Sequence, residues 1–204
     1  MGNQLDIALK EWSVAISALE AGETIMLLRK GGIREVGGRF TVAHDRVLLY
    51  PTYEHQRTEL LKPPYRCKVE LVASGWHPAV IPISSWAQIT DVIEVTEQSA
   101  LDALLPLHIW NDLFAAERFR WKPRSPLYVL LLRVFRLVKP VMIPYQDSYG
   151  GCRSWIELDP SIDLTESKPV LADQNYAAQV EEIYRRVGQE AHHVGSQSHQ
   201  ENNA

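Results

Sequence analysis

Only two cysteines, Cys67 and Cys152, occur in 204 residues, too few and too isolated for a disulfide framework, so redox chemistry has no support. The longest apolar run, Leu127 to Leu132, is far short of the roughly 20 residues a membrane helix needs, and no membrane partner is expected. The start, Met1 to Asp6, has neither a basic nor an apolar leader region, which makes the cytoplasm the expected compartment. No Gly-Lys-Ser or Gly-Lys-Thr phosphate loop is present, and the pairs Gly31-Gly32 and Gly37-Gly38 do not fit the dinucleotide fingerprint, which argues against nucleotide hydrolysis on a standard loop. His44, His55, His77, His108 and the two cysteines lie scattered without paired-ligand spacing, so neither a metal nor a cofactor is expected. A Gly-x-Ser-x-Gly elbow is also missing.

One further absence is local. From Arg118 to Lys139 there is no acidic residue but seven basic ones: Arg118, Arg120, Lys122, Arg124, Arg133, Arg136 and Lys139. The formal net charge is -4, so the rest of the chain carries -11. Such asymmetry permits an anion-binding face on an acidic protein.

What is present is a composition, 46% hydrophobic, ordinary for a globular chain with one good core. Leu5, Leu9, Trp12, Ile16 and Leu19 recur at three- and four-residue spacing, which predicts a helix over residues 4–20 with Gly22 as its stop. Short strands are expected at Thr24–Leu28, Phe40–Val42 and Arg46–Tyr50, with the glycine pairs at hairpin turns and Pro51 ending the last strand. Tyr53–Lys62 reads as a short helix before Pro63-Pro64. Further strands are predicted at Lys68–Ala73, Trp86–Thr96, Tyr128–Leu137 and Gly151–Leu158. Helices are expected at Leu101–Leu105 with Thr96 as N-cap, at His108–Phe119 along Ile109, Leu113 and Ala116, and at Asn175–Val187. The implied fold is α+β: a mainly antiparallel, bent or barrel-like sheet with an N-terminal and a C-terminal helix packed on it. Residues 1–170 form one domain with a candidate break near 63–75, residues 171–188 a C-terminal helix, and the polar stretch 189–204 a disordered tail.

Three groups of residues carry candidate chemistry. The first is the stretch Leu27 to Gln56, where Arg29, Lys30, Thr52, Glu54, His55 and Gln56 crowd against strand ends. Reactive side chains on loops held by a stiff frame are where sites usually stand. A histidine titrates near neutral pH and a carboxylate can orient it, which makes His55 and Glu54 a candidate acid–base pair and Arg29, Lys30, Thr52 and Gln56 candidate anion or hydrogen-bonding contacts. The bland alternative is that the arginines pair with nearby glutamates and His55 caps a helix. The second is Arg133, which alternation places among apolar neighbours. It must therefore meet carboxylates, with Asp91, Glu94 or Glu157 as partners, or line a wet cleft. The third is Arg118-Phe119-Arg120-Trp121-Lys122-Pro123-Arg124, where cations alternate with rings. Arg118, Arg120, Lys122 and Arg124 would hold phosphates while Trp121 stacks on a base; the alternative is a solvated helix end.

The order Lys10-Glu11-Trp12, Leu28-Arg29-Lys30-Gly31-Gly32-Ile33, Gly38-Arg39-Phe40, Pro51-Thr52-Tyr53-Glu54-His55-Gln56, Leu127 to Val134 and Gly151-Cys152-Arg153-Ser154-Trp155 resembles the bacterial domain-of-unknown-function family numbered eighteen-oh-two, common in cyanobacteria, over about residues 5–160. That resemblance implies a link, through domain association, to restriction-modification systems. A weaker similarity in element order, without a shared residue motif, is to the PUA-like barrels that bind RNA or modified bases.

The leading expectation is a nucleic-acid-binding accessory of a restriction-modification or defence system, with nucleic acid as partner; no feature specifies an oligomeric state. The rival is an enzyme acting on a phosphorylated or nucleotide substrate, with His55 and Glu54 as its acid–base pair and Arg29, Lys30 and Arg133 on the anion. The two differ in whether Arg29, Glu54, His55 and Arg133 share one concave pocket.

Overall fold

The computed structural model describes residues 3–30, 33–36, 39–121, 126–151 and 153–188, with side chains for all of them except 33–36 and 39–41. The glycine pairs at 31–32 and 37–38, Lys122, Arg124, Cys152 and the polar stretch 189–204 lie outside the described residues.

The chain follows the expected α+β plan, but its first element differs from the expectation. Gln4–Trp12 is a strand, β1, and helix α1 starts only at Ser13, running to Glu20. The residues of β1 satisfy a helical and a strand period at once, and the ladder decides between them. β1 pairs in parallel with β5 (Arg46–Thr52) and antiparallel with β8 (Trp155–Asp163). α1 is then held by a remote cap, because Gln56 Oε1 accepts from Val14 N at 3.2 Å and from Ser13 Oγ at 3.1 Å. The helix stops where Gly22 takes φ +70°, with Leu171 so close that a Cβ there would meet its Cδ2 at 2.8 Å.

Two long strands dominate the sheet. β6 (Val80–Val95) and β7 (Leu127–Pro144) pair antiparallel along their length, and β2 (Met26–Arg29) adds to the far edge of β7. The order β2-β7-β6-β5-β1-β8 is an open path, with β9 (Lys168–Pro169) on β7. A separate hairpin pairs β3 (Ile33–Val36) with β4 (Arg39–Val42). Leu127 to Val134 are buried without a break, as a strand covered on both faces requires.

Alternate residues feed two cores. Leu9, Val47, Leu49, Ala87 and Ile89 face one, where α1, α3 (Gln98–Leu104), α4 (Asp112–Arg120) and α5 (Asp173–Val187) pack. Ala8, Leu48, Tyr50 and Trp86 face the other, joined by Ile81, Ile83 and Ile143 from the outer ends of β6 and β7. The register shifts between Ile83 and Ser85, and a bulge of this kind bends a ribbon. The β6–β7 ribbon curls over its own sheet, so the architecture is bent and open. Each fully buried Leu or Ile contributes roughly 1.5–3 kcal/mol by leaving water, which is why both layers persist.

Other local expectations shift. Residues 68–73 form no strand; they find no ladder partner, and Leu71 is 73% exposed. Between Tyr53 and Lys62 there is only a single 3-10 turn, Thr58–Leu60, and the Pro63-Pro64 pair opens the short helix α2 (Pro63–Arg66). Pro51 lies within β5 rather than ending it. Glu97 rather than Thr96 precedes α3. α4 starts at Asp112, capped by Asn111 Oδ1 accepting from Phe114 N at 3.1 Å, which turns Phe114 and Ala115 inward and leaves Leu113 exposed.

Candidate functional site: a basic, aromatic cleft

The carboxyl ends of the parallel pair β1 and β5 lie side by side, and the chain leaves both into loops. Around these ends opens a cleft of about 740 Å³, within the range of small-ligand sites. Lys10, Glu11 and Trp12 from β1, Tyr50 to Thr52 from β5 and the following Tyr53 to His55 line one side. Arg29 and Lys30 enter from the end of β2, and Arg118 and Trp121 from the end of α4. The segments 75–78 and 149–151 close the rest, with Tyr145, Arg153 and Ser154.

Among the described residues the cleft lining holds five cations, Lys10, Arg29, Lys30, Arg118 and Arg153, against two carboxylates, Glu11 and Glu54. In a chain of net charge -4, this concentrates positive potential in one concavity, where low-dielectric walls focus the field. Lys10 Nζ donates to the carbonyls of Tyr149 (2.6 Å) and Gly151 (2.9 Å), tying β1 to the segment before β8. Lys30 Nζ donates to Phe119 O at 2.7 Å and to Trp121 O, which caps the carbonyl end of α4, and burial lowers the Lys30 ammonium pKa. A cation at that end of a helix meets its negative pole.

Glu11 organises the guanidinium groups. Its Oε2 meets Arg29 Nη1 at 2.8 Å, and its Oε1 accepts from Trp12 N at 2.9 Å. Arg118 lies close enough to feel both: burial first, then repulsion from Arg29, lowers its pKa, and Glu11 opposes that shift. Its guanidinium stands 5.1 Å from the Phe114 ring centroid; among the described residues it meets that ring and no hydrogen-bond acceptor or carboxylate within ion-pair distance. A partly desolvated cation with unfilled donors favours an incoming anion.

Rings supply the other half. Tyr53 and Trp76 meet edge to face at 6.0 Å and 90°, His77 stacks on Tyr145 at 3.3 Å, and Tyr50 meets Tyr149 at 6.0 Å. Burial raises the hydroxyl pKa of Tyr50 and Tyr53, so both stay neutral. Trp76 and Trp121 are about half exposed at the rim, which is unusual for so large an apolar surface.

Glu54 has a visible local task. Its Oε1 accepts from Gly75 N at 2.5 Å and Ser74 Oγ at 3.2 Å, and the Gly75 N–H is the main reason its pKa is lowered. Gly75 takes φ +79° at this turn, a conformation that costs a glycine little. The same oxygen lies 3.1 Å from His55 Nε2; His55 is 71% exposed and itself left-handed at φ 62°. Strain of this kind in a residue other than glycine marks a constrained site.

Of the residues singled out in the sequence, Arg29, Lys30, Thr52, Glu54, His55, Arg118 and Trp121 line this one cleft. Gln56 does not; it is buried and caps α1. Arg120 is exposed and is not part of this cleft's lining. Arg133 lies apart, 2.5 Å from Asp173 of α5 and over the Tyr176 ring, so its carboxylate partner is neither Asp91, Glu94 nor Glu157. Lys10, Glu11, Trp76, Tyr145 and Arg153 also line it, and in the sequence only the run Lys10-Glu11-Trp12 and the segment around Gly151 point toward them. Among the described residues no three potential ligands gather to hold a metal ion, and no helix is long and apolar enough to cross a membrane.

The family model described as Domain of unknown function (DUF1802) matches residues 8–182. No curated protein matches. Among solved structures, ASCH from Zymomonas mobilis is similar at 11% identity and a TM-score of 0.43, over 76% of this chain and 87% of that one. A serine-to-alanine mutant of the Zymomonas mobilis protein is similar at 9% identity and the same TM-score, over 78% and 92%.

Proposed function

We propose that this chain, which belongs to the DUF1802 family, binds single-stranded nucleic acid in the cleft at the ends of β1 and β5. The observation that carries this reading is the lining itself: cations concentrated against the sign of the whole chain, interleaved with rings of which Trp76 and Trp121 are about half exposed. Guanidinium and ammonium groups match phosphate, and half-exposed tryptophans offer stacking platforms to unpaired bases. A duplex hides its base faces and would leave those rings unused. In a restriction-modification or defence system such a protein would serve as a nucleic-acid-binding accessory.

Anisotropy of a labelled oligothymidylate, titrated at rising salt, tests this. Arg118→Ala should flatten the slope of log K against log salt by about 0.7, the value for one phosphate contact on a single strand. Trp121→Ala and Trp76→Ala should each weaken binding about 5- to 150-fold, as expected for loss of one stacked base, with little change of slope. Failure to bind at low salt, or equal affinity for a duplex of the same length, would overturn the proposal.

The 3.1 Å approach of His55 to Glu54 favours a second reading, an enzyme acting on a phosphorylated or nucleotide substrate with Arg29 and Lys30 on the anion. Glu54 is the weaker half of that pair, since its oxygen is already engaged by Gly75 and Ser74 and its charge is stabilised there. Under this reading His55→Ala abolishes turnover of a nucleotide substrate while leaving folding intact; turnover that survives the substitution removes it.

A further inference from the structure

A second concavity of about 300 Å³ lies against the first, lined by Arg57, Leu60, Phe114, Glu117, Arg118 and Trp121. Its lining is chemically simple. Leu60 and Phe114 are buried and make an apolar floor, Trp121 is 47% exposed, and Arg57 stands at the rim, 3.0 Å from Glu117 and 2.8 Å from Glu59. Arg118 and Trp121 belong to both linings, so they form the partition between the two concavities.

That partition combines a cation with unfilled donors and a ring beside it. In a single-stranded nucleic acid, bases are joined through phosphates, and a strand crossing the partition would put a phosphate over Arg118 and a base against Trp121. The smaller concavity has the apolar floor and ring a base requires, and the next phosphate would reach its rim cation Arg57 in competition with Glu59 and Glu117, which now pair with it. A mononucleotide held in the larger cleft would leave the smaller concavity empty.

We propose that the small concavity under Arg57 is a second base subsite, that Arg118 holds the phosphate between the two subsites, and that the ligand is therefore an oligonucleotide strand rather than a free nucleotide. This rests on the nucleic-acid reading of the cleft and extends it from one subsite to two.

The test is a length series of unlabelled oligothymidylates, from the mononucleotide upward, followed by quenching of intrinsic tryptophan fluorescence on the full chain. Affinity should rise in a step of about 5- to 150-fold, the contribution of one stacked base, at the length that first fills both concavities. Arg57→Glu, on an exposed side chain, should abolish the step while the mononucleotide still binds. Arg185→Glu imposes the same change of charge on the exposed face of α5, away from both concavities, and should keep the step. Affinity that climbs smoothly with length, a step that survives Arg57→Glu, or a step equally lost in Arg185→Glu would overturn the second subsite while leaving the first intact. Absence of binding at every length would overturn both.

Discussion

Glu11→Gln should lower stability and raise affinity in the same molecule. The carboxylate is almost buried, 11% exposed against 15% for Arg29, and their contact is 2.8 Å. A hydrogen bond to a charged group contributes about 1.5–3 kcal/mol, and glutamine keeps the shape and the acceptor for Trp12 N while removing the charge. Loss of that range corresponds to a fall in Tm of about 3–12 °C for a chain of this size. The same charge repels any phosphate arriving between Arg29 and Arg118. At about 6 Å and an effective dielectric constant of roughly 20–80, the repulsion is about 1–3 kcal/mol, so its removal should tighten oligonucleotide binding about 5- to 150-fold, and less at high salt. Urea unfolding followed by the fluorescence of the six tryptophans gives the first quantity and anisotropy titration the second. Weaker binding in the variant would mean that Glu11 contacts the ligand rather than holding its place, and would refute the reasoning; unchanged stability would refute the assigned strength of the Arg29 pair.

His108 is buried, and burial, reinforced by the nearby Lys62 ammonium, lowers its pKa to about 4. Its folded pKa is depressed, so the unfolded chain takes up the proton first; stability should fall as pH drops from about 6.5 to about 4, by about 3 kcal/mol in all. His108→Leu should flatten this part of the urea-midpoint profile, and a profile that keeps its slope would count against it. Arg133 pairs with an Asp173 that is itself 98% exposed, and its Nη1 is buried without a hydrogen-bond partner. Arg133→Met should accordingly be neutral or stabilising by about 1–4 kcal/mol with unchanged oligonucleotide affinity; loss of affinity would return Arg133 to the binding site.

The sequence exposed the local parts of this design and hid the distant ones. Tyr128 to Leu137 announces its strand because it is branched and aromatic, though the strand runs on through Pro140 to Pro144, and Asn175 to Val187 announces α5 by one clean stripe. β1 does not, because Ala8 and Leu9 are both fully buried on opposite faces; a strand covered on both sides loses its alternation, and the remaining spacing of Leu5, Leu9 and Trp12 imitates a helix. Residues 68–73 show the converse, since alternation without a ladder partner makes no strand. In the cleft, Arg29, Lys30, Glu54 and His55 were legible because they flank turns and strand ends. Lys10, Trp12 and Arg153 come to share the cleft only through tertiary pairing, which no local pattern encodes. Arg133 invited a functional reading for a sound reason, the cost of a buried charge, but its carboxylate comes from a helix forty residues away.

β1 has a consequence for the life of the chain during its synthesis. It pairs with β8, so that Leu9 lies opposite Trp155, and Lys10 is fastened to the carbonyls of Tyr149 and Gly151. One wall of the cleft is thus made about 150 residues before the wall that faces it. At about 5–20 residues per second, a ribosome needs roughly 8–30 s to bring the second wall out. Throughout that interval the nascent chain displays the basic and aromatic residues of β1 without the concavity, which is complete only when the last sheet strands close.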